Sequence, residues 1–434
     1  MIKKFSAVLC LFLLCAAALP AQTYRIKYSA DDKDPISLEN AIRLALENDY
    51  DLLLTEQDVV IAEQRLKEAK FLYLPQISVN AGATSYDLDY PTVLPENLGL
   101  RLISPKTPNQ NDSDLFYGVG VLAMQYLYTG GRTSSTVSMA NAALKEAMSR
   151  YEGVKSSIIY KVKESFFNYM FLQHKKELID NVVARAQKIT AGGNTSRLDN
   201  IIEQTQLAYF TSEQNETGED FTSARLKLLK TLNKELNAKV VVEDDFEFKP
   251  IDVDLSKVTL WSMEYRPELK SALYKLEMDT IAVKLSLAKR YPDIMLGASY
   301  DKVGTDNLKD KNFQATLALK LPIGYDYNTQ VKQKRAEQRQ TVLKRAAIED
   351  GIRMQVTEAY DNLMFWQKET AARVQTWDSV NKEFKALDFQ KLSKEEKLKA
   401  LEYYYKAGVG YLEGIKQHML AVAQLELAVG QDIR

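Results

Sequence analysis

The chain repeats itself once, at half its own length. Leu74-Pro75-Gln76-Ile77 returns as Tyr291-Pro292-Asp293-Ile294, an offset of 217 (from 75 to 292). Upstream, Asp49-Tyr50-Asp51-Leu52 meets Arg266-Pro267-Glu268-Leu269 at the same offset. Each copy runs 23 residues (52 to 75, 269 to 292) between these marks without a gap. Short-unit solenoids repeat every 20–50 residues or so. A period of half the chain means one large unit built twice.

Each copy opens with a helix. In the first, Ser37 is a good N-cap before Leu38, Ala41, Ile42, Leu44 and Ala45. This helix is expected to run to Leu74, about 57 Å at 1.5 Å per residue, until Pro75 stops it. Two strands follow in each copy, near 76–86 and 115–128 in the first and near 293–303 and 312–325 in the second. Ile77, Val79, Ala81 and Ala83 alternate with polar residues, and so do Phe313, Ala315, Leu317, Leu319, Leu321 and Ile323. That is period-two patterning with one apolar and one polar face. Strands of about 10 residues with such faces suit either a buried sandwich or a membrane barrel. Residues 87–114 form a long polar loop with Pro91, Pro95, Pro105 and Pro108, whereas the second hairpin turns near Gly304 to Lys311.

Long helices come next. No proline lies between Pro108 and Pro250, or after Pro322. Arg132–Thr190 is expected to form about 88 Å of helix, and Thr329–Tyr405 about 115 Å. Ala140, Leu144, Ala147, Tyr151, Val154 and Ile158 step by 4 and 3 in turn, as do Ile352, Val356, Ala359, Leu363 and Trp366. These are heptad seams. Gly192-Gly193 and Gly408 with Gly410 mark the expected hairpin tips, with returning helices at 197–236 and 411–431. Residues 237–260 read as an irregular linker in which Val240-Val241-Val242 could form a short strand.

The remaining composition narrows the functions. Lys3 and Lys4 precede an apolar run from Phe5 to Leu19, and small residues follow to Ala21. This is the pattern of a secretory signal cleaved after Ala21, and the run is too short to span a bilayer. Residues 1–21 carry two lysines and no acid, so their removal takes the net charge from -1 to -3. No basic excess argues for nucleic acid. Both cysteines, Cys10 and Cys15, lie in the leader, so the mature chain is expected to have no disulfide, thiol nucleophile or cysteine metal site. Leu9 and Leu14 precede them, a poor fit to a lipidation site. His174 and His418 are the only histidines and stand in different copies, with no HExxH, Walker or dinucleotide glycine pattern nearby. No catalytic residue, metal or cofactor is expected. Tyr86, Tyr90, Tyr117, Tyr126, Tyr128, Tyr300 and Tyr325 sit near strand ends. They read either as an interfacial girdle or as ordinary strand residues.

Helix, strand, strand, long helix, tip and returning helix, twice over behind a leader, resemble the TolC family of outer-membrane efflux proteins. Three local matches carry the resemblance. The first is Leu/Tyr-Pro-x-Ile before a strand, at 74–77 and 291–294. The second is Tyr128-Thr129-Gly130-Gly131-Arg132 leading into an Ala-rich helix. The third is the tip pattern, Gly193-Asn-Thr-Ser-Arg-Leu-Asp199 and Ala407-Gly408-Val-Gly-Tyr-Leu-Glu413. The resemblance covers nearly all of 37–431. It implies a mainly α fold with β: a homotrimeric 12-stranded transmembrane barrel in the outer membrane, continued by a long periplasmic α-helical coiled-coil barrel. The first repeat with its linker would take 22–260 and the second 261–434.

The function implied is a passive exit duct for small molecules or polypeptides, not an enzyme. It would work with a periplasmic adaptor and an inner-membrane transporter, in an efflux pump or type I secretion system. A coiled-coil adaptor or scaffold of an envelope complex is the alternative. The resemblance also implies gate residues at the periplasmic tips: Asp199 in the first repeat, Tyr405 and Glu413 in the second. Two positions depart from the family pattern. Lys416 stands where some members carry a pore-facing acid, and Gly410 where an arginine latch is expected.

Overall fold

The computed structural model describes residues 36–86, 114–191, 197–238, 240–242, 245–304, 308, 310–323 and 326–433. The leader with Ala21, the loop 87–113, Tyr90, Gly192-Gly193 and Tyr325 lie outside the described residues.

The opening helix of each unit is broken in two, at the place where the two copies align. In the first copy α1 (Leu38–Asn48) ends at Asp49, which turns extended and caps α2 (Tyr50–Phe71). Asp49 Oδ1 accepts from the amides of Asp51 at 2.9 Å and Leu52 at 3.1 Å, satisfying donors that a helix start leaves open. In the second copy α5 (Leu255–Tyr265) ends at Arg266, and α6 (Pro267–Ala288) begins with proline at its first position. A residue before proline is pushed out of helical geometry. The single helix expected over Ser37–Leu74 is therefore two helices. The second of them stops at Phe71, with residues 72–74 forming a turn before Pro75.

The strands are β1 (Gln76–Tyr86), β2 (Asp114–Tyr128), β3 (Asp293–Gly304) and β4 (Asp310–Lys320). They make one antiparallel sheet in the order β1-β2-β3-β4, so β1 and β4 are its edges. Val79, Val121, Tyr300 and Phe313 stand in one row across the sheet, and Asn80, Gly120, Asp301 and Asn312 in the next. Rows alternate between faces, so one face is apolar and the other polar. No second layer covers the apolar face among the described residues; Phe313 is 71% exposed there. The sandwich alternative is thereby removed for this chain alone.

Each strand is continued by a helix. Gly130 and Gly131 turn β2 into α3 (Arg132–Thr190), both with positive φ, 62° and 84°. A Cβ on Gly130 would stand 2.5 Å from Tyr291 Cβ, so this turn requires glycine on two counts. Arg132 pairs with Asp293, tying the start of α3 to the start of β3. β4 leads into α7 (Tyr327–Ala386), and the returning helices are α4 (Arg197–Thr231) and α8 (Lys394–Val429). Beneath the sheet the helices lie in the order α2-α3-α6-α7, matching the strands above them. Farther away the order is α4-α3-α8-α7. The long α3 and α7 run through both halves, while α2 is followed on its track by α4, and α6 by α8.

Where two helices meet end to end, side chains close the gap. Asn233 Nδ2 donates to Asn48 O at 2.9 Å. Arg266 Nη1 donates to Leu427 O at 2.9 Å and Ala428 O at 3.1 Å, capping α8. The second heptad seam packs as expected: Ile352, Val356, Ala359 and Leu363 of α7 are buried against Val422, Leu425 and Val429 of α8. The linker carries one isolated parallel bridge, Ile36 to Val242, in place of a strand at 240–242. Its last residues, 255–260, are not irregular but the start of α5.

Candidate functional site: hairpin ends and wall

The second hairpin does not turn at Gly408 and Gly410. It turns at residues 387–393, and α8 starts with Ser393 as N-cap in a full capping box with Glu396. The helix pairs have matching lengths: α3 and α7 span 59 and 60 residues, α4 and α8 span 35 and 36. Gly408 and Gly410 lie inside α8. A Cβ on Gly408 would meet Leu178 Cδ2 at 2.6 Å and Trp377 Cζ3 at 3.0 Å, so its small size serves close helix packing rather than a turn.

This moves the candidate gate residues. Tyr405 lies 11 residues into α8, about 17 Å from its start, Glu413 about 29 Å and Lys416 about 33 Å. Asp199 is in the first turn of α4; its side chain lies outside the described residues. Pairing between α4 and α8 runs 203 to 394 and 213 to 405. In that register Asp199 is level with the 387–393 turn, and the structure does not bring it together with Glu413.

Two polar links join α4 to α8. Nearest the ends, Lys394 Nζ stands 3.4 Å from Glu203 Oε2, and Glu203 is buried. Deeper, the buried Tyr405 hydroxyl donates to Glu213 Oε2 at 2.9 Å, and Lys175 Nζ of α3 lies 3.8 Å from the same oxygen. Burial, and then the Glu213 carboxylate, push the Tyr405 hydroxyl well above the usual tyrosine range, so it stays protonated as a donor. Around these links Ile179, Val183, Phe210, Phe384, Leu398 and Leu401 form one apolar core across four helices. Glu413 and Lys416 stand one turn apart. The Lys416 ammonium lies 4.2 Å from the Phe171 ring centroid, and burial lowers its affinity for a proton against the pull of Glu413.

Sequence reasoning missed Glu203, Glu213 and Lys394. The signal was available: α3 and α7 start 195 residues apart (132 to 327), because the second strand hairpin is the shorter. That offset carries residues 192–196 onto 387–391, the start of the turn between α7 and α8.

The histidines do not form a site. His174 stacks on Phe246 at 5.3 Å and His418 meets Phe248 edge-on at 4.9 Å, so both pack against the linker. Among the described residues no cluster of His, Cys, Asp and Glu is placed to hold a metal. Likewise no described helix is long and apolar enough to cross a membrane. Of the proposed tyrosine girdle, Tyr128 and Tyr300 share the apolar rows and are exposed, while Tyr126 falls on the other face. The side chains of Tyr86 and Tyr117 lie outside the described residues.

Among the described residues the chain thus presents a one-faced sheet with open edges, each strand prolonged by a helix. Residues 41–197 match the family model for outer membrane efflux proteins. No curated protein matches the chain in sequence. Solved structures agree on the fold. The MtrE outer membrane channel of Neisseria gonorrhoeae in its open state aligns at TM-score 0.75, with 15% identity, over 92% of this chain and 89% of that one. The CmeC outer membrane channel of Campylobacter jejuni aligns at 0.72, with 15% identity, over 95% and 93%. The outer membrane protein VceC of Vibrio cholerae aligns at 0.73, with 14% identity, over 92% and 97%. Over its described length the chain therefore shares the fold of these outer-membrane channels, and residues 41–197 match the efflux-protein family in sequence.

Proposed function

We propose that this chain is one of three identical protomers of an outer-membrane exit duct, a passive conduit for small molecules or polypeptides. The observation that carries this reading is the sheet. It has an exposed apolar face, a polar face and two unpaired edges. Open edges are not tolerated in hydrocarbon, and four strands cannot close on themselves. Three copies supply twelve strands and pair every edge. The polar rows with Ser78, Asn80, Ser299, Asp301 and Asn312 then line the lumen. The helices continue the wall into the periplasm, where an adaptor and an inner-membrane transporter deliver the cargo. The wall needs no catalytic group.

The hairpin ends are the proposed entrance. For α4 and α8 to part there, the Lys394–Glu203 and Tyr405–Glu213 contacts must break. A hydrogen bond to a charged group contributes about 1.5–3 kcal/mol, enough to bias an entrance without locking it. Asp199 belongs to this entrance by its level on α4, beside the turn. Glu413 and Lys416 lie deeper in the wall, so their part would be in the passage rather than at its mouth.

Fractionation tests the duct. Heat-modifiable trimers in outer-membrane detergent extracts are expected; a soluble monomer would overturn the reading and favour the coiled-coil scaffold. Single-channel recording tests the entrance. Asp199→Ala and Tyr405→Phe are expected to raise conductance or open probability, and unchanged traces in both would remove these residues from the gate.

A further inference from the structure

Along the β3–β4 hairpin the apolar face of the sheet is shorter than the membrane it would cross. On its outward rows the top is marked by Lys302 and Lys311, paired with each other and both exposed. The next row down is Val79, Val121, Tyr300 and Phe313, and along β4 the outward positions continue through Ala315 and Leu317 to Leu319. Three two-residue steps cover about 20 Å of strand. At the usual barrel tilt of about 40° this is roughly 15 Å of height, against an apolar band of about 25 Å in outer-membrane barrels. On this hairpin some 10 Å is missing, and charge forbids finding it at the top, where only β1 and β2 stay apolar with Ala81 and Val119.

It is present at the bottom. Apolar side chains stay exposed past the strand ends, on the elbow that joins sheet to helices. Phe71 is 65% exposed, Leu74 53% and Ile323 90%, with Tyr73, Leu127 and Leu321 beside them. A further turn of helix lies below the elbow. There the surface changes character, with Lys67 and Lys70 exposed on either side of Glu68, while Arg290 stands in the elbow itself against Tyr291. An apolar belt above a row of cations is the profile of acyl chains meeting phosphate. An exposed apolar surface continuous with a lipid-facing sheet needs an occupant, and this one is flanked as a bilayer boundary is.

From this placement we infer that the elbow, not the last strand residue, is the inner boundary of the membrane. Inner-leaflet acyl chains contact Phe71, Leu74, Leu321 and Ile323, and lipid phosphates sit at Lys67, Lys70 and Arg290. The inference rests on the barrel reading above. The helical wall therefore begins inside the leaflet, and the Pro75 and Pro292 turns bend within the lipid rather than in open periplasm.

The chain suits a site-directed label test, since Cys10 and Cys15 are its only cysteines. On a Cys10→Ser, Cys15→Ser background, single variants Phe71→Cys, Leu74→Cys and Ile323→Cys carry a nitroxide. Phe313→Cys is the reference within the sheet. The protein is reconstituted in vesicles of phosphatidylethanolamine and phosphatidylglycerol. Collision with oxygen, which concentrates in acyl chains, is compared with collision with a water-soluble nickel chelate. The expected result is an oxygen-to-nickel ratio at 71, 74 and 323 within about threefold of that at 313. Nickel access at the three elbow sites with oxygen access at 313 would overturn the inference and leave the barrel standing. Low access to both reagents at the elbow would also overturn it, since another copy would then cover that surface. Nickel access at 313 as well would fail the barrel reading itself.

Discussion

The two copies make the same break with different chemistry. At the first, Asp49 ends α1 and caps α2 with its carboxylate, and Asn233 reaches across from the end of α4. At the second, Pro267 sets the break, and Arg266 carries four contacts. Its guanidinium donates to two carbonyls of α8 and, at 2.8 Å, to Gln355 of α7, and lies 3.0 Å from the Glu268 carboxylate. What the copies share is the junction, where a strand-side helix begins against the end of a returning helix. What differs is how much of the junction rests on one side chain. Copy two concentrates it in Arg266, which is buried, whereas copy one spreads it over Asp49 and Asn233.

Arg266→Ala is therefore expected to give the largest effect. It strips the donors from the carbonyls of Leu427 and Ala428, and each buried group left unpaired costs about 1–3 kcal/mol, for a total near 3 kcal/mol or more. Asn233→Gly keeps the positive φ of 50° open to the backbone and loses one hydrogen bond, about 1 kcal/mol or less. Denaturant unfolding of the two variants checks the contrast. Equal losses would show that the copies share the load alike.

The hairpin ends give the next contrast, and the corrected turn depends on it. Gly408→Ala drives a methyl into Leu178 and Trp377, which should cost about 1–3 kcal/mol by overpacking. A Cβ at Gly410 meets nothing within 4 Å, so Gly410→Ala should stabilise α8 by up to about 1 kcal/mol. Thermal unfolding reads both signs. A loss at Gly410 would return the turn to 408–410 and undo the placement of Tyr405, Glu413 and Lys416 inside the helix.

Why that turn was hard to see is a matter of which local signals compete. Arg132–Thr190 was legible to the residue, because glycines open it and nothing inside breaks it. The true turn at 387–393 holds neither glycine nor proline. Its marks are Ser393-Lys-Glu-Glu396, a capping box written in the sequence, and they were outweighed by two glycines that serve packing. The breaks at Asp49 and Arg266 were marked by the repeat itself. Yet apolar spacing continues through both, so periodicity alone reads one helix. The polar links are of a third kind. Glu203 with Lys394 and Glu213 with Tyr405 are 191 and 192 residues apart, and only the register of two packed hairpins joins them. The alternating faces of the strands were plain, but whether anything covers the apolar face is a tertiary fact.

The smallest expected effect concerns the end of α8, where copy two buries a carboxyl. Glu426 is 2.5 Å from Lys163 and hydrogen-bonds to Asp432. Burial raises its pKa, Lys163 opposes that, and Asp432 adds to the rise, so the net direction is up. The linkage sign follows. Just above the ordinary glutamate range the native chain holds this proton and the unfolded chain does not, so stability falls as pH rises through that window. The contribution is fully present below the unfolded value and gone above the folded one. Glu426→Gln keeps a neutral hydrogen-bonding group in place and should flatten that fall, while leaving Lys163 less well paired at neutral pH. Melting temperature followed from pH 4 to 7, wild type against Glu426→Gln, measures the difference between the curves. If the two run parallel, the carboxyl ionises freely in the fold. Lys163 would then outweigh burial, and this end of copy two would be held by an ordinary ion pair.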